Sequence, residues 1–389
     1  MKDRDKFLLI VTIFLLVYFM PVESQRLQNS VLEGLYMLRE YAREHVLFCL
    51  VPAFFIAGAM QNFISHESVM KYLGKGAPLI LAYSVAAVSG AILAVCSCTV
   101  LPLFMGIYKR GAGLGPATAF LYSGPAINVL AIIMTARVLG WQIGLARAVG
   151  AVLFSVVIGL LMAKLFREDE AERQKTFQSA KVESEGRCLG QTAAYFAVLV
   201  AILVFAAWGK PPEKIGLFYA VYSVKWYITV ALLAALAYML KAWFKPDELS
   251  AWLQSTWDFA QKILPLLLGG VLVAGILMGR PGTDRGLIPS DWISRLVGGN
   301  SIISNFVSSV VGALMYFATL TEVPIIQGLL GSGMGKGPAL ALLLAGPALS
   351  LPSMIVITNT IGPKKAFAYI SLVVIMATLT GWLFGLILA

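Results

Sequence analysis

Two thiols, one carboxylate and a set of chain-breaking residues are the chemically informative positions of this sequence. Cys96-Ser97-Cys98-Thr99 closes an apolar run and stands just before Pro102. Thiols two residues apart can both face a break in a helix, and thiolates select soft cations and thiophilic metalloids. The same pair also fits two small buried hydrophobes. A closed zinc site needs four ligands, and the only histidines are His45 and His66. Any metal contact at Cys96 and Cys98 is therefore expected to be transient, and no resident cofactor is expected. Glu322, in Thr321-Glu322-Val323-Pro324, is the one acid inside an apolar stretch. A carboxylate at membrane depth is expensive and points to function. It could take up and release a proton or balance a cationic substrate; the alternative is a carboxyl group bonded to a broken helix end.

A third group surrounds two Gly-Pro-Ala sequences. Ser123, Gly124, Pro125 and Asn128 form the first set, and Gly346, Pro347 and Ser350 the second, with Thr358 farther along. Proline removes a helix hydrogen bond. In hydrocarbon, broken backbone survives only where protein or a wet cavity satisfies it. Helix ends created at Pro125 and Pro347 would aim partial charges at such a cavity. Asn128 is costly there unless it bonds freed backbone or a ligand.

These groups belong to an internal repeat. Residues 98–129 align without gaps onto 320–351 at an offset of 222, with thirteen identities in 32 pairs. The identities include Thr99 with Thr321, Pro102 with Pro324, and Gly124-Pro125-Ala126 with Gly346-Pro347-Ala348. Each copy reads as a full span, a half-length apolar stretch (99–108 or 322–330), a Gly-rich turn, and a span interrupted by Gly-Pro-Ala. Broken segments at matching positions in two halves are the best sequence pointer to a transporter's binding site, although close helix packing alone also uses Gly and Pro. If the half-length stretches cross the membrane, the repeats are inverted; if they are re-entrant, the repeats are parallel. Inversion is preferred, because it gathers Lys109, Arg110, Lys164–Arg187, Lys241, Lys245, Lys364 and Lys365 on one side.

The elements that must position these residues follow from composition. Of 389 residues, 59% are hydrophobic and 13% charged, with a mean hydropathy of +0.82. That excludes an ordinary cytosolic enzyme and a disordered chain. Apolar runs near the ~20 residues of a bilayer span recur at 7–20, 46–63, 78–97, 116–136, 143–164, 190–208, 226–243, 262–279, 301–319, 338–358 and 366–388. The fold class is an all-α polytopic membrane protein, with two related repeats whose broken helices meet at a central site. Its expected parts are a short membrane helix and interfacial amphipathic segment (1–45), a first repeat (46–165), a charged cytoplasmic loop (166–189), two linker helices (190–245) and a second repeat (257–389). The net charge of +10 is assigned to basic loops on the cytoplasmic side, not to nucleic acid. The lipid bilayer and a small solute are the expected partners.

The run Cys96-Ser-Cys-Thr-Val-Leu-Pro-Leu-Phe-Met-Gly-Ile-Tyr-Lys-Arg-Gly-Ala, followed by Gly115-Pro-Ala-Thr-Ala-Phe-Leu-Tyr-Ser-Gly-Pro-Ala-Ile-Asn-Val-Leu-Ala, resembles the bacterial and archaeal predicted-permease family that contains the ArsP-type organoarsenical efflux permeases. The resemblance covers about 46–389. It implies a multi-pass permease of the inner membrane and, for some members, export of trivalent organoarsenicals. Thiophilic arsenic agrees with Cys96 and Cys98.

No Walker loop, GxSxG elbow, HExxH or dinucleotide fingerprint is present, so the sequence shows no motif for ATP-driven pumping or a familiar enzyme. The rival readings are a permease for another solute, such as a sulfur-containing anion, and a membrane enzyme that handles thiols.

Overall fold

The computed structural model describes residues 23–63, 78–93, 97–127, 129–178, 189–208, 217–280, 285–288, 296–315, 322–331 and 333–388, with Phe7, Val11, Phe14, Tyr18, Pro21, Leu73 and Thr283 besides. Most of the span expected at 7–20 lies outside them. The described residues are helical apart from turns and one isolated bridge, Gly298 with Met334. All backbone bonds inside a helix are internal, which suits a chain this apolar to a bilayer.

The first continuous helix among the described residues is α1 (Gln25–Tyr41), which continues through a π-helical stretch, Ala42–Leu50, into α2 (Val51–Phe63). The first repeat then contributes α3 (Leu79–Leu93), α4 (Ser97–Lys109), α5 (Leu114–Ala126), α6 (Val129–Val138) and α7 (Trp141–Leu165). The charged helix α8 (Arg167–Gln178) and the apolar pair α9 (Leu189–Ala206) and α10 (Leu217–Trp243) follow. After α11 (Pro246–Met278), the second repeat supplies α12 (Ile302–Leu314), α13 (Glu322–Gly331), α14 (Lys336–Ala345), α15 (Leu351–Ile361) and α16 (Pro363–Ile387).

Four helices among the described residues are long and apolar enough to span a bilayer: α7, most of α10, α11 and α16. Two bent pairs raise that to six: α1 with α2, and α5 with α6, each bent by 47°. The apolar runs 116–136 and 338–358 are thus each two shorter helices. The first breaks after Ala126, and the second passes through Gly346-Pro347-Ala348 as a turn. Pro347 cannot donate the bond that would continue α14. Pro102, by contrast, stays inside the continuous helix α4.

The repeat seen in sequence recurs as structure. Helices α7 and α16 have bounds that match at an offset of 222, as do the starts of α5 and α14 and of α6 and α15. Gly111 and Gly333 have φ of 96° and 99°, and Gly140 and Gly362 of 103° and 86°. These left-handed corners exclude most side chains, which explains why Gly recurs at each.

Packing repeats too. In the first copy α5 lies between α3 and α7; in the second, α14 lies between α12 and α16. A Cβ on Gly159 would come within 2.7 Å of the Gly115 carbonyl and 2.6 Å of the Tyr83 ring. At the corresponding positions, a Cβ on Gly381 would stand 2.7 Å from the Gly337 carbonyl and 2.6 Å from Asn305 Oδ1. Each copy is therefore a three-helix unit closed by a glycine–glycine crossing, the close approach that small residues allow in membranes. The two units meet through α7 with α16 and α14, and the repeats touch further through α6 with α13 and α4 with α15.

The segment expected to lie in the interface is α1, which docks along α11. A Cβ on Gly34 would meet Ile276 at 2.6 Å. Its buried Glu33 pairs with Arg280 at 2.8 Å, while Val31, Leu32, Leu35 and Tyr36 are exposed.

Candidate functional site

Opposite charges from the two repeats, on α7 and α13, meet beside the α6–α13 contact. Glu322 begins α13, and only 1% of its surface is exposed. It occupies the repeat position of Val100, so the second copy has a carboxyl where the first has an apolar side chain. Its partner is Arg147 on α7, also 1% exposed. The inward stripe of α7 runs Ile143, Gly144, Arg147, Gly150, Ala151 and Phe154, the three-and-four spacing of a buried helix face. Arg147 is thus held in the packed interior by its helical register. Its Nη2 donates to Glu322 Oε1. Its Nη1 donates to Thr135 Oγ1 at 2.8 Å, and that hydroxyl donates to the Ala131 carbonyl at 2.7 Å. Arg147 Nε has no hydrogen-bond partner among the described residues.

The arrangement changes the electrostatics expected from sequence. Glu322 is not a lone carboxylate awaiting a cation, because Arg147 already neutralises it. Desolvating two ions is costly, and a short paired geometry offsets that cost only while both partners remain. The pair also crosses between repeats, joining α7 and α6 of the first to α13 of the second.

The Gly-Pro-Ala breaks lie beside this centre. Tyr122 on α5 donates to the Leu344 carbonyl at 3.0 Å. That carbonyl belongs to the last turn of α14, where the helix leaves its final carbonyls without internal donors. Tyr122 and Leu344 are themselves repeat mates, 222 positions apart. Tyr122 also lies within electrostatic reach of Arg147 and of Tyr369, the repeat mate of Arg147. Tyr369 is fully buried, and its hydroxyl has no partner among the described residues.

The other sequence candidates divide by what their polar groups do. Ser350 caps α15 through a reciprocal pair with Ser353, with bonds of 2.8 and 3.3 Å. Ser123 bonds the carbonyls of Phe120 and of Ala86 on α3, at 3.2 and 3.3 Å. Both hydroxyls thus hold helix ends and neighbours in place. Thr99, Pro102, Gly124, Pro125, Gly346 and Pro347 are buried. Pro324 sits in the first turn of α13, where a missing N–H costs nothing. Cys96, Asn128 and Thr321 lie outside the described residues, as do the side chains of Cys98 and Pro324. Among the described residues no three His, Cys, Asp or Glu side chains gather.

Arg147 and Thr135 are the residues that sequence reasoning missed. The basic surplus was assigned to loops, and Arg147 is a buried exception inside a span. Its signal was available: a guanidinium in register with Gly144, Gly150 and Ala151 on the small-residue face of an apolar helix. Glu33, buried as deeply as Glu322, was likewise hidden in a segment of mixed polarity.

A family model described as "Predicted permease" (ArsP_1) matches residues 31–386. The chain is 46% identical over 351 residues to UPF0718 protein MJ0584 of Methanocaldococcus jannaschii, covering 90% of this chain and 94% of that one. It is 23% identical over 292 residues to UPF0718 protein YraQ of Escherichia coli K12, covering 74% and 63%. No solved structure matches.

Proposed function

The chain belongs to the predicted-permease family, and we propose that it is a secondary transporter of the inner membrane that works by alternating access and exports thiophilic metalloid species such as trivalent organoarsenicals. The observation that carries this reading is the buried Arg147–Glu322 pair. It joins the two repeats beside helices broken at matching positions, where transporters build their sites. Rocking one repeat against the other exchanges contacts at this junction, so a polar pair there is placed to sense substrate and proton.

An inverted relation of the repeats suits that motion, and one set of contacts supports it. Lys365, in the first turn of α16, lies 3.8 Å from Asp169 and 5.9 Å from the Phe166 ring. Phe166 and Asp169 follow the end of α7. The start of one helix therefore meets the end of its repeat mate, as two antiparallel neighbours would. In this reading Cys96 and Cys98 make transient thiol contacts, and their weakness permits release. Glu322 supplies proton coupling. Ser123, Asn128, Ser350 and the Gly-Pro-Ala breaks shape the cavity.

A resistance assay in cells lacking their own arsenical exporter tests the site. Cys96→Ser, Cys98→Ser and Glu322→Gln are each expected to abolish protection against methylarsenite at matched expression. Full protection in all three overturns the assignment.

A further inference from the structure

We propose that Arg147, with Thr135, is an anion subsite of the transport path that opens when Glu322 takes up a proton, and that it accepts one small monoanion for each proton. This rests on the permease reading above but not on its arsenical substrate.

The argument starts from charge balance. With Glu322 ionised, the site holds one positive and one negative charge and is neutral. A proton on Glu322 cancels the carboxylate but leaves the guanidinium, which does not deprotonate in proteins. A buried guanidinium without a counter-ion is strongly unfavourable. A bound monoanion restores neutrality: Arg⁺, neutral Glu and the anion sum to zero, as Arg⁺ and Glu⁻ did. Proton and anion therefore stabilise each other's binding, and the linkage is reciprocal. No oxidant, nucleophile or covalent step is involved.

Geometry gives the ligand its class. The guanidinium is a planar fork of five N–H donors that matches paired oxygen acceptors. Its Nη1 is fixed by Thr135 and its Nη2 is occupied by Glu322, while Nε has no partner among the described residues. An anion taking the place of the Glu322 oxygen on Nη2 can thus also reach the neighbouring Nε. That favours a compact monoanion with two or three equivalent acceptors, such as a carboxylate, sulfonate or nitrate-like group. A divalent anion would leave one negative charge uncompensated.

On α6, Arg137 is exposed in the last turn. On α14, Lys336 stands at the first position. On α5 and α16, which also pack on α7, the titratable groups near Arg147 are the buried hydroxyls of Tyr122 and Tyr369. Lys364 and Lys365 stand in the first turn of α16, and Glu168, Asp169 and Glu170 in that of α8. On α7, Arg147 alone is both charged and buried among the described residues. Glu322 has its charge interaction with Arg147, so the coupling is expected to be a one-to-one exchange of partners.

The test uses the full-length protein in detergent micelles, with nitrate and methanesulfonate as probes because their charge does not change with pH. Binding is read by thermal stabilisation and isothermal titration at fixed ionic strength, from acid to neutral pH. Wild-type affinity should fall about tenfold per pH unit across the upper part of the range, as uptake of one proton per anion requires. Glu322→Gln, which fixes the neutral form, should bind both anions with little pH dependence and at least as tightly as wild type at acid pH. Arg147→Met/Glu322→Met, which keeps the site neutral and foldable, should bind neither. The proposal is overturned if wild-type affinity does not change with pH, if Glu322→Gln keeps the wild-type profile or binds neither anion, or if the double variant still binds. None of these readouts involves an arsenical, so failure of the proposed substrate and failure of this subsite are separate results.

Discussion

Cutting the Arg147–Glu322 pair one side at a time should cost far more than removing it whole. Both side chains are 1% exposed, so neither has water to fall back on. Removing one partner of such a pair costs about 3–5 kcal/mol, whereas replacing both by apolar groups of similar size is near neutral. The two single variants should also differ. In Arg147→Met the stranded carboxyl can neutralise itself by taking a proton, so the loss should shrink as pH falls. In Glu322→Met the stranded guanidinium has no such escape, so that variant should be the less stable and should stay so at acid pH. The double variant Arg147→Met/Glu322→Met should return to within about 2 kcal/mol of wild type. The coupling energy of the cycle should then be at least about 4 kcal/mol, above the usual range of about 0.5–3 kcal/mol for residues in contact. Unfolding by sodium dodecyl sulfate in mixed micelles, followed by circular dichroism at two pH values, measures all four corners. Single variants within about 1 kcal/mol of wild type, or a double variant as unstable as the sum of the singles, would refute the reasoning.

Three further outcomes follow from packing and backbone. Gly381→Ala puts a Cβ 2.6–2.7 Å from Asn305 Oδ1, Ala341 and the Gly337 carbonyl and should cost about 1–3 kcal/mol as overpacking, whereas Gly269→Ala in α11 meets nothing within 4 Å; the same unfolding assay should rank them in that order. Gly362→Ala forces a side chain onto φ 86° and ψ 159°, a region nearly reserved for glycine, and should cost of order 1–3 kcal/mol despite having open space around it. Arg173 on α8 donates to the carbonyls of Tyr108 and Ala112 and lies 3.8 Å over the Tyr108 ring, so Arg173→Ala should raise hydrogen exchange in residues 108–114 while leaving α12–α16 unchanged.

How much was legible in the sequence depended on what each feature asks of the backbone. Gly and Pro constrain φ and remove donors regardless of surroundings, so the repeat, the half-length helices and the Gly-Pro-Ala breaks could be read from one chain. The paired left-handed corners at Gly111 and Gly333 are the structural form of one repeat identity, and Gly140 with Gly362 extends the pattern beyond the aligned stretch. Side-chain meetings are different, because they depend on which helix faces which. Glu322 stood out by being an acid in an apolar run. Arg147 did not, because a basic residue seven positions into an apolar helix resembles the anchors that end spans. Only the packing of α7 against α6 and the meeting of Arg147 with Glu322 of α13 tell the two cases apart. Ser350 was singled out as a polar group beside a break, but a serine immediately before Leu351-Pro352 is also a cap, and its bonds are those of a cap.

The repeat makes the site asymmetric. The scaffold places mates at corresponding positions: α7 with α16, Tyr122 against Leu344, Gly115 and Gly159 like Gly337 and Gly381. Had the chemistry been repeated too, two arginines or two carboxylates would face one another across the centre, and like charges in a low dielectric repel strongly. Instead Arg147 has Tyr369 as its mate and Glu322 has Val100. One repeat supplies the cation and the other the anion, so attraction acts between the halves and not within them. That division gives a proton on Glu322 leverage over how the halves hold together, because it weakens a contact between repeats while leaving each three-helix unit and its glycine crossing intact. A pair confined to one repeat would stabilise that repeat alike in every orientation. Between the repeats, the same charges depend on how the halves are oriented, which is what the coupled transport proposed above would require.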